Sequence, residues 1–433
     1  MARSLKVAVV GAGVSGLVAA RELQREGHRV VVYEKGDRLG GTWIYDPRVE
    51  SDPLGRDPNR EIVHSSAYQS LRANLPRHLM GFSDYPFVVR ENGDPRTFPG
   101  HEEVLRFLND FARDFGLAEL IRFDSEVVRV ELLDELRNNE WMVESRTSGL
   151  SSVDIFQAVV VCNGHYTEPQ LANLPGIEKW PRKQVHSHNY RVPEPFRHQV
   201  VVMVGAGPSA VDISRDIAKV AKEVHLSSRS SNVIVSKSNK YDNIWQHSKI
   251  ECVYEDGTVA FEDGCPVKAD VIFHCTGYKY RVPFLKTNGI VTIDDKRVGP
   301  LYKHVFPPQL APWLSFVGIP TKVIVFPMLE LQCKWIAHVL SSKVSLPSKE
   351  EMLADVEQHY RHMEESGIPK KLTHQIYPHE IEFFDWMAAQ VGIPPLEEKR
   401  KRLYIQIWKM ATNSQAEELR DEWDFDNWIN QAI

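Results

Sequence analysis

One pattern occurs twice in this chain and limits what it can become. GAGVSG stands at residues 11–16, and GAGPSA stands at residues 205–210. Each is preceded by a Val-rich apolar run, LKVAVV (5–10) and HQVVVMV (198–204). Such runs read as strands buried on both faces of a parallel sheet. Each is followed by a stretch of helical periodicity and then by a second strand-like run, HRVVVYEK (28–35) and EVHLSS (223–228). Strand, glycine turn, helix and strand in this order form the dinucleotide-binding unit. In the first copy, Gly11 makes the tight turn. Gly13 lets the backbone approach a pyrophosphate, and Gly16 lets helix and strand pack closely. The second copy keeps Gly205 and Gly207, has Ser209 at the helix start, and replaces the third glycine by Ala210. The free N–H groups of each helix N-terminus face the phosphates.

The two copies differ where it matters chemically. Aligned without gaps, residues 11–35 match residues 205–229, so Glu34 falls on Ser228 and Lys35 on Arg229. A carboxylate at the strand end accepts hydrogen bonds from a ribose diol and repels a 2′-phosphate. A hydroxyl followed by arginine offers a donor and a positive charge to that phosphate. The first site therefore suits FAD or NAD, and the second suits NADPH. A protein with one site of each kind is most simply a flavoprotein reduced by a nicotinamide, with FAD in the first site. LGGTW (39–43) supports this, because Gly40 and Gly41 allow close approach to the cofactor and Trp43 follows them.

Composition excludes several classes. Hydrophobic residues at 42% and charged residues at 25% place the chain among ordinary globular proteins. A net charge of −6 argues against general nucleic-acid binding. The five cysteines, Cys162, Cys252, Cys265, Cys275 and Cys333, include no CxxC pair. They point to a reduced, cytoplasmic protein, and they argue against a disulfide reductase, which needs a redox pair soon after the first unit. The N-terminus lacks the order of a signal peptide. The apolar stretch 314–328 is interrupted by Pro320 and Lys322, so no membrane anchor is expected.

With these motifs in place, the chain resembles the flavin-containing monooxygenases over nearly its whole length. VVVCNGHYTEP (159–169) and DVIFHCTGYKY (270–280) look like the family's two crossings between nucleotide domains. WPRKQVHSHNY (180–190) resembles the FxGxxxHxxxY signature: His186 and Tyr190 match, while Trp180 replaces Phe and Arg182 replaces Gly. Related Baeyer–Villiger enzymes usually carry Trp at the place of Tyr190, which tilts the resemblance toward heteroatom oxygenation. His186 reads as a structural, hydrogen-bonded residue. Asn74, in YQSLRANLPRHLMGF (68–82), matches the family's asparagine beside the flavin ring. A neutral amide there can hydrogen-bond without delivering a proton.

The resemblance implies an α/β fold with two Rossmann-like domains, the NADPH domain (169–281) inserted into a split FAD domain (1–168 and 282–433, the latter with a helical C-terminal region). It implies FAD held by Gly11, Gly13, Gly16, Glu34, Lys35, Gly41, Trp43 and Gln332, and NADPH held by Gly205, Gly207, Ser209, Ser228 and Arg229. Asn74 is the residue nearest to catalytic, and no metal is implied. RANLPRHLMGF, the loop DPLGRDP (52–58) and the ending RDEWD (420–424) are similar to plant S-oxygenating members. They imply NADPH- and O2-dependent oxidation of a thioether, of the S-alk(en)yl cysteine or methylthioalkyl glucosinolate type, through a C4a-hydroperoxyflavin. N-hydroxylation and Baeyer–Villiger oxidation are the alternatives, with a non-catalytic flavin sensor further off.

Overall fold

The computed structural model describes residues 4–134, 140–229, 235–238, 240–412 and 420. The fold is α/β, and the chain divides into two compact units. One comprises Met1–Gly41, Leu75–Gly164 and Tyr280–Ile433, the other Thr42–Asn74 and His165–Lys279.

The first unit is built on five strands in the order Leu314–Phe316, Ala158–Val161, Lys6–Val10, Arg29–Tyr33 and Ile121–Arg122, all parallel. The Val-rich run at the N-terminus forms the central strand because both its faces are covered, and Val7, Ala8 and Val9 are fully buried. The helix Val14–Arg25 begins at the glycine turn and stops before Gly27, whose φ of 80° suits a residue without a Cβ. Helix Val325–Leu340 packs along it. Arg21 fixes that packing: it is 1% exposed, and its guanidinium donates to Glu22 (2.7 Å), Asp84 (3.0 Å) and Glu330 (3.1 Å). Three carboxylates offset the desolvation cost of this buried charge. Removing one partner costs on the order of 3–5 kcal/mol. An antiparallel meander, Glu126–Asp134, Glu140–Thr147 and Leu150–Phe156, lays Trp141, Val143 and Phe156 into the core beside Ala8 and Val10. Helices Lys349–Glu365, Glu380–Gln390 and Glu398–Thr412 follow toward the C-terminus. The family-like ending lies, beyond Arg420, outside the described residues. No described helix is long and apolar enough to cross a membrane.

The second unit repeats the plan. Its six strands run Ser236–Lys237, Ile244–His247, Glu223–Ser227, Val200–Val204, Val271–His274 and Lys183–His186, parallel except for the first pair. Helix Pro208–Ala218 covers one face through Ile213 and Ile217, against Val201, Met203 and Val224. On the other face, Val200, Val202 and Val204 meet a small antiparallel sheet of Ile250–Val253, Thr258–Phe261 and Val267–Lys268. Residues 42–74 are pinned to this unit by buried charge. Arg60 donates to Glu50 (2.7 Å) and Glu168 (3.0 Å), and His188 lies 3.0 Å from the other Glu50 oxygen.

Candidate functional site

The two glycine turns are anchored in the same way. The Gly11 N–H donates to the Tyr33 carbonyl at 2.8 Å, and the Gly205 N–H donates to the Ser227 carbonyl at 3.0 Å. Both glycines have left-handed backbones, φ 105° and 120°. A Cβ on Gly11 would lie 2.5 Å from the Cys162 carbonyl oxygen, and one on Gly205 would lie 2.5 Å from that of Cys275. Strain and sterics thus both demand glycine. The equivalence of Cys162 and Cys275 is written in the sequence as a CNG and a CTG after apolar strands, within the two segments that resemble the family's crossings.

Around the first turn several expected residues come together. A Cβ on Gly16 would collide with the Gly11 carbonyl, so this glycine sets how closely helix and strand approach. Gly13 faces Gly41, where an added Cβ would stand 3.6 Å from the Gly41 Cα. The Gly40 N–H donates to the Ala12 carbonyl at 3.0 Å. The two glycine segments therefore form one cradle of bare backbone. Glu34 stands at its side: one carboxylate oxygen accepts from the Ala12 N–H and the other from the Gly36 N–H, both at 2.8 Å. Burial pushes this carboxyl above its ordinary range, and the two N–H groups offset part of that. Lys35 points outward and pairs with Glu126 at 2.8 Å.

Gln332 reaches the same corner from helix Val325–Leu340. Its side-chain oxygen accepts from the Gly318 N–H at 3.0 Å, which turns the amide nitrogen the other way. That nitrogen is buried and has no hydrogen-bond partner among the described residues. Gly318 itself was not singled out from sequence. A Cβ there would lie 3.0 Å from Ser15 Oγ, at the start of the first helix. The signal was present: strand Leu314–Phe316 runs into Gly318 as the other strands run into their glycine turns.

The second turn is more open. Gly207 has φ −80° and ψ 178°, which any residue adopts, and an added Cβ would meet nothing within 4 Å. Neither strain nor packing within the protein explains a glycine here. What the glycine leaves is bare backbone at the start of the helix, open to close approach. Ser209 is exposed in the first turn of the helix, and Ala210 is fully buried where the first copy has Gly16. Neither helix has a side-chain N-cap, so both N-termini keep N–H groups available to an anion. Ser228 is half-buried and Arg229 exposed, directly after strand Glu223–Ser227.

Trp43 and Asn74 stand near the two ends of the segment Thr42–Asn74, Trp43 half-buried and Asn74 exposed. The signature residues are structural in the second unit. His186 is fully buried, accepts from the His188 N–H at 3.1 Å and lies 3.0 Å from the Gly277 carbonyl; burial lowers its pKa to about 3, so it stays neutral. The Tyr190 hydroxyl donates to Asp216 at 2.8 Å. Arg191, which follows the signature and matches no position in it, donates to the carbonyls of Asp46, Arg48, Ser65, His188 and Tyr190 and so ties residues 46–65 to this signature.

The chain is similar to known proteins over nearly its whole length. The sequence matches the family described as FMO-like, flavin-binding monooxygenase-like, over residues 4–249 and 241–399. It is 54% identical to the flavin-containing monooxygenase FMO GS-OX-like 3 of Arabidopsis thaliana, covering 99% of this chain and 96% of the relative. It is 53% identical to FMO GS-OX5 of the same plant, covering 99% and 94%. The structure of S-allyl-L-cysteine S-oxygenase from Allium sativum is similar at a TM-score of 0.96 and 54% identity, covering 100% of this chain and 98% of that one. Two glycine turns on two Rossmann-type sheets, a family match over most of the chain and relatives of this closeness along the full length place the chain in the flavin-binding monooxygenase-like family, and it is a flavin-containing monooxygenase.

Proposed function

We propose that the chain is an FAD- and NADPH-dependent S-oxygenase that converts a thioether to a sulfoxide. The observation that carries the cofactor assignment is the pair of equivalent turns with opposite chemistry at the strand end: Glu34 in the first, Ser228 and Arg229 in the second. The cradle of Gly11, Gly13, Gly16 and Gly41, with the spare buried donor of Gln332, fits FAD. Glu34 would take the ribose hydroxyls, Lys35 would flank them, and Trp43 would lie toward the flavin. The bare Gly207, with Gly205 and Ser209, would receive the NADPH pyrophosphate, and Ser228 and Arg229 would hold its 2′-phosphate. The FAD domain would then comprise 1–168 and 282–433 and the NADPH domain 169–281, although residues 42–74, unlike most of 1–168, pack in the second unit.

When bound, the flavin supplies reduction of O2 and transfer of one oxygen atom to a soft nucleophile, with NADPH as electron source. The protein's own share is positioning and dryness. Asn74 would hydrogen-bond the reacting groups without offering an acidic proton. Tyr190, Arg191, Glu50 and Arg60 would keep the segment between Trp43 and Asn74 in place. No side-chain nucleophile enters this account.

The full-length likeness to an S-allyl-L-cysteine S-oxygenase and to the GS-OX relatives supports a substrate of the S-alk(en)yl cysteine or methylthioalkyl glucosinolate type. The test is product analysis by mass and chirality on a thioether, an amine and a ketone. Sulfoxide should dominate. Ester from the ketone, or hydroxylamine from the amine, at greater efficiency would replace the S-oxygenase reading with one of those two.

A further inference from the structure

Beneath the Ser228–Arg229 corner lies a chain of four ionisable side chains that the proposed function leaves unused. Glu223 Oε2 is 3.3 Å from His225 Nε2. His225 Nδ1 is 3.0 Å from His247 Nε2, and His247 Nδ1 is 3.2 Å from Asp263 Oδ2. Both histidines are buried, and His247 stacks on Phe261 with ring centroids 4.2 Å apart. Asp263 also accepts the N–H groups of Ser248 (2.9 Å) and Cys265 (3.0 Å), which hold it below the usual carboxylate range although burial acts the other way.

Counting hydrogens gives an unusual result. The chain has three gaps, and each needs one hydrogen. The carboxylates contribute none, and two neutral imidazoles contribute two. Starting from ionised Asp263, His247 must place its hydrogen on Nδ1. Its bare Nε2 must then accept from His225 Nδ1–H. The Nε2 lone pair of His225 is left facing the Glu223 carboxylate. The chain is one proton short, and burial keeps both rings from taking that proton unaided.

The chain is also joined to the nucleotide corner. Glu223, His225 and Ser227 alternate to the sheet face opposite helix Pro208–Ala218, since Val224 packs with Ile213 and Ile217. The Ser228 N–H donates to the His247 carbonyl at 3.1 Å, and Ser227 Oγ donates to the Ser248 carbonyl at 3.0 Å. The other charged groups nearby are Arg229 at the strand end and the exposed Lys249–Glu262 pair on the covering hairpin. No described lysine or arginine bonds either imidazole. A 2′-phosphate carries a charge near −2 when ionised, and a dianion nearby favours a proton on a buried base.

We propose that Glu223, His225, His247 and Asp263 form a proton-binding relay that positions the Ser228–Arg229 corner, and that docking of a 2′-phosphorylated dinucleotide draws about one proton from solvent onto the two histidines, whereas the unphosphorylated dinucleotide draws none. The proposal rests on the assignment of the second turn to NADPH. These four side chains act through the corner rather than on the reacting atoms.

The test is isothermal titration of the FAD-loaded protein with NADP+ and with NAD+, in two phosphate-free buffers of low and high ionisation heat. The pH is held well above the phosphate's second pKa of about 6. The heat of NADP+ binding should vary with buffer and give an uptake approaching one proton, and the heat of NAD+ binding should not. Glu223→Gln is the informative variant, because its amide N–H can close the open gap without a proton. Uptake should vanish there while NADP+ affinity is kept. His247→Gln should lose uptake and weaken NADP+ several-fold, with NAD+ unchanged. Buffer-independent heats with NADP+ in the parent protein, or uptake that persists in Glu223→Gln, would overturn the relay. If NADP+ binds no tighter than NAD+, or Arg229→Ala leaves its affinity intact, the NADPH assignment itself fails.

Discussion

At the scale of single residues, the strand-end pair carries the sharpest expectation. Arg229 is exposed and follows a strand whose end is fixed by the Gly205–Ser227 and Ser228–His247 backbone bonds. Arg229→Ala should remove one charge-assisted hydrogen bond to the 2′-phosphate, worth about 1.5–3 kcal/mol, and so raise the Kd for NADPH roughly tenfold to a hundredfold. Binding of NADH, measured in parallel, should change little. Equal losses for both would remove Arg229 from the phosphate site. Asn74 belongs to a different test. Asn74→Ala should retain FAD but release peroxide in place of product, read as the ratio of NADPH consumed to sulfoxide formed. Fully coupled turnover in that variant would show that the amide is dispensable. Sequence alone can single out these residues because each has a fixed offset from a glycine turn or a family motif. Gln332 was found by resemblance, but its partner Gly318 was not, since a lone glycine after a short strand carries no offset of its own.

At the scale of elements, the two strand–turn–helix–strand units were legible because buried parallel strands are monotonously apolar and their helices are capped by glycine. The meander of Glu126–Asp134, Glu140–Thr147 and Leu150–Phe156 was not. Its first strand carries Glu126, Arg129, Glu131 and Asp134, and register shifts at Val127/Arg129 and Leu132/Asp134 break the two-residue alternation that would have announced it. The three-stranded sheet over the second unit escaped for a related reason: strands of two to four residues are too short to show a period. The first turn also yields an element-scale prediction. Gly16→Ala would drive a methyl group into the Gly11 carbonyl, whose oxygen and carbon are backbone and cannot swing aside as the end of a side chain would. Helix Val14–Arg25 would have to move away from its strand, or the turn would have to open. The outcome expected is a protein purified with little FAD and destabilised by more than the 1–3 kcal/mol of ordinary overpacking. Gly27→Ala is the control, since a Cβ there meets nothing within 4 Å and only its φ of 80° is penalised. Full flavin content in Gly16→Ala would mean that the cradle tolerates a wider spacing.

At the scale of the molecule, both units store neutral histidines in their interiors, and this sets how the protein responds to acid. In the first unit, His304 is held well below its usual pKa of 6.5 by burial, with His374, His359 and Lys303 adding to the effect. Its Nδ1 lies 2.9 Å from that of His374, whose other nitrogen accepts the Val298 N–H at 3.0 Å; the pair is therefore satisfied only when both rings are neutral. In the second unit, burial lowers His186 to about 3 and His274 to about 4. A group whose folded pKa is depressed binds its proton more readily once the chain unfolds. Its contribution is complete above the unfolded value of 6.5 and is lost progressively as pH falls below it, toward the folded value. Each such histidine adds about 1.4 kcal/mol of slope per pH unit in that window. The buried carboxylates act lower down. Glu50, Asp216 and Glu330 are held below their usual range by charge and hydrogen-bond partners that outweigh their burial, so their contribution persists until the pH drops through the ordinary carboxylate values. Between pH 6.5 and roughly 4.5 the loss should accordingly be a histidine effect in both units. The urea midpoint measured against pH should begin to fall just below neutrality, and His274→Gln, which keeps a donor for Gln184, should flatten part of that slope. A midpoint that stays level until the carboxylates titrate would mean that the interior histidines find water or a counter-charge before the fold gives way.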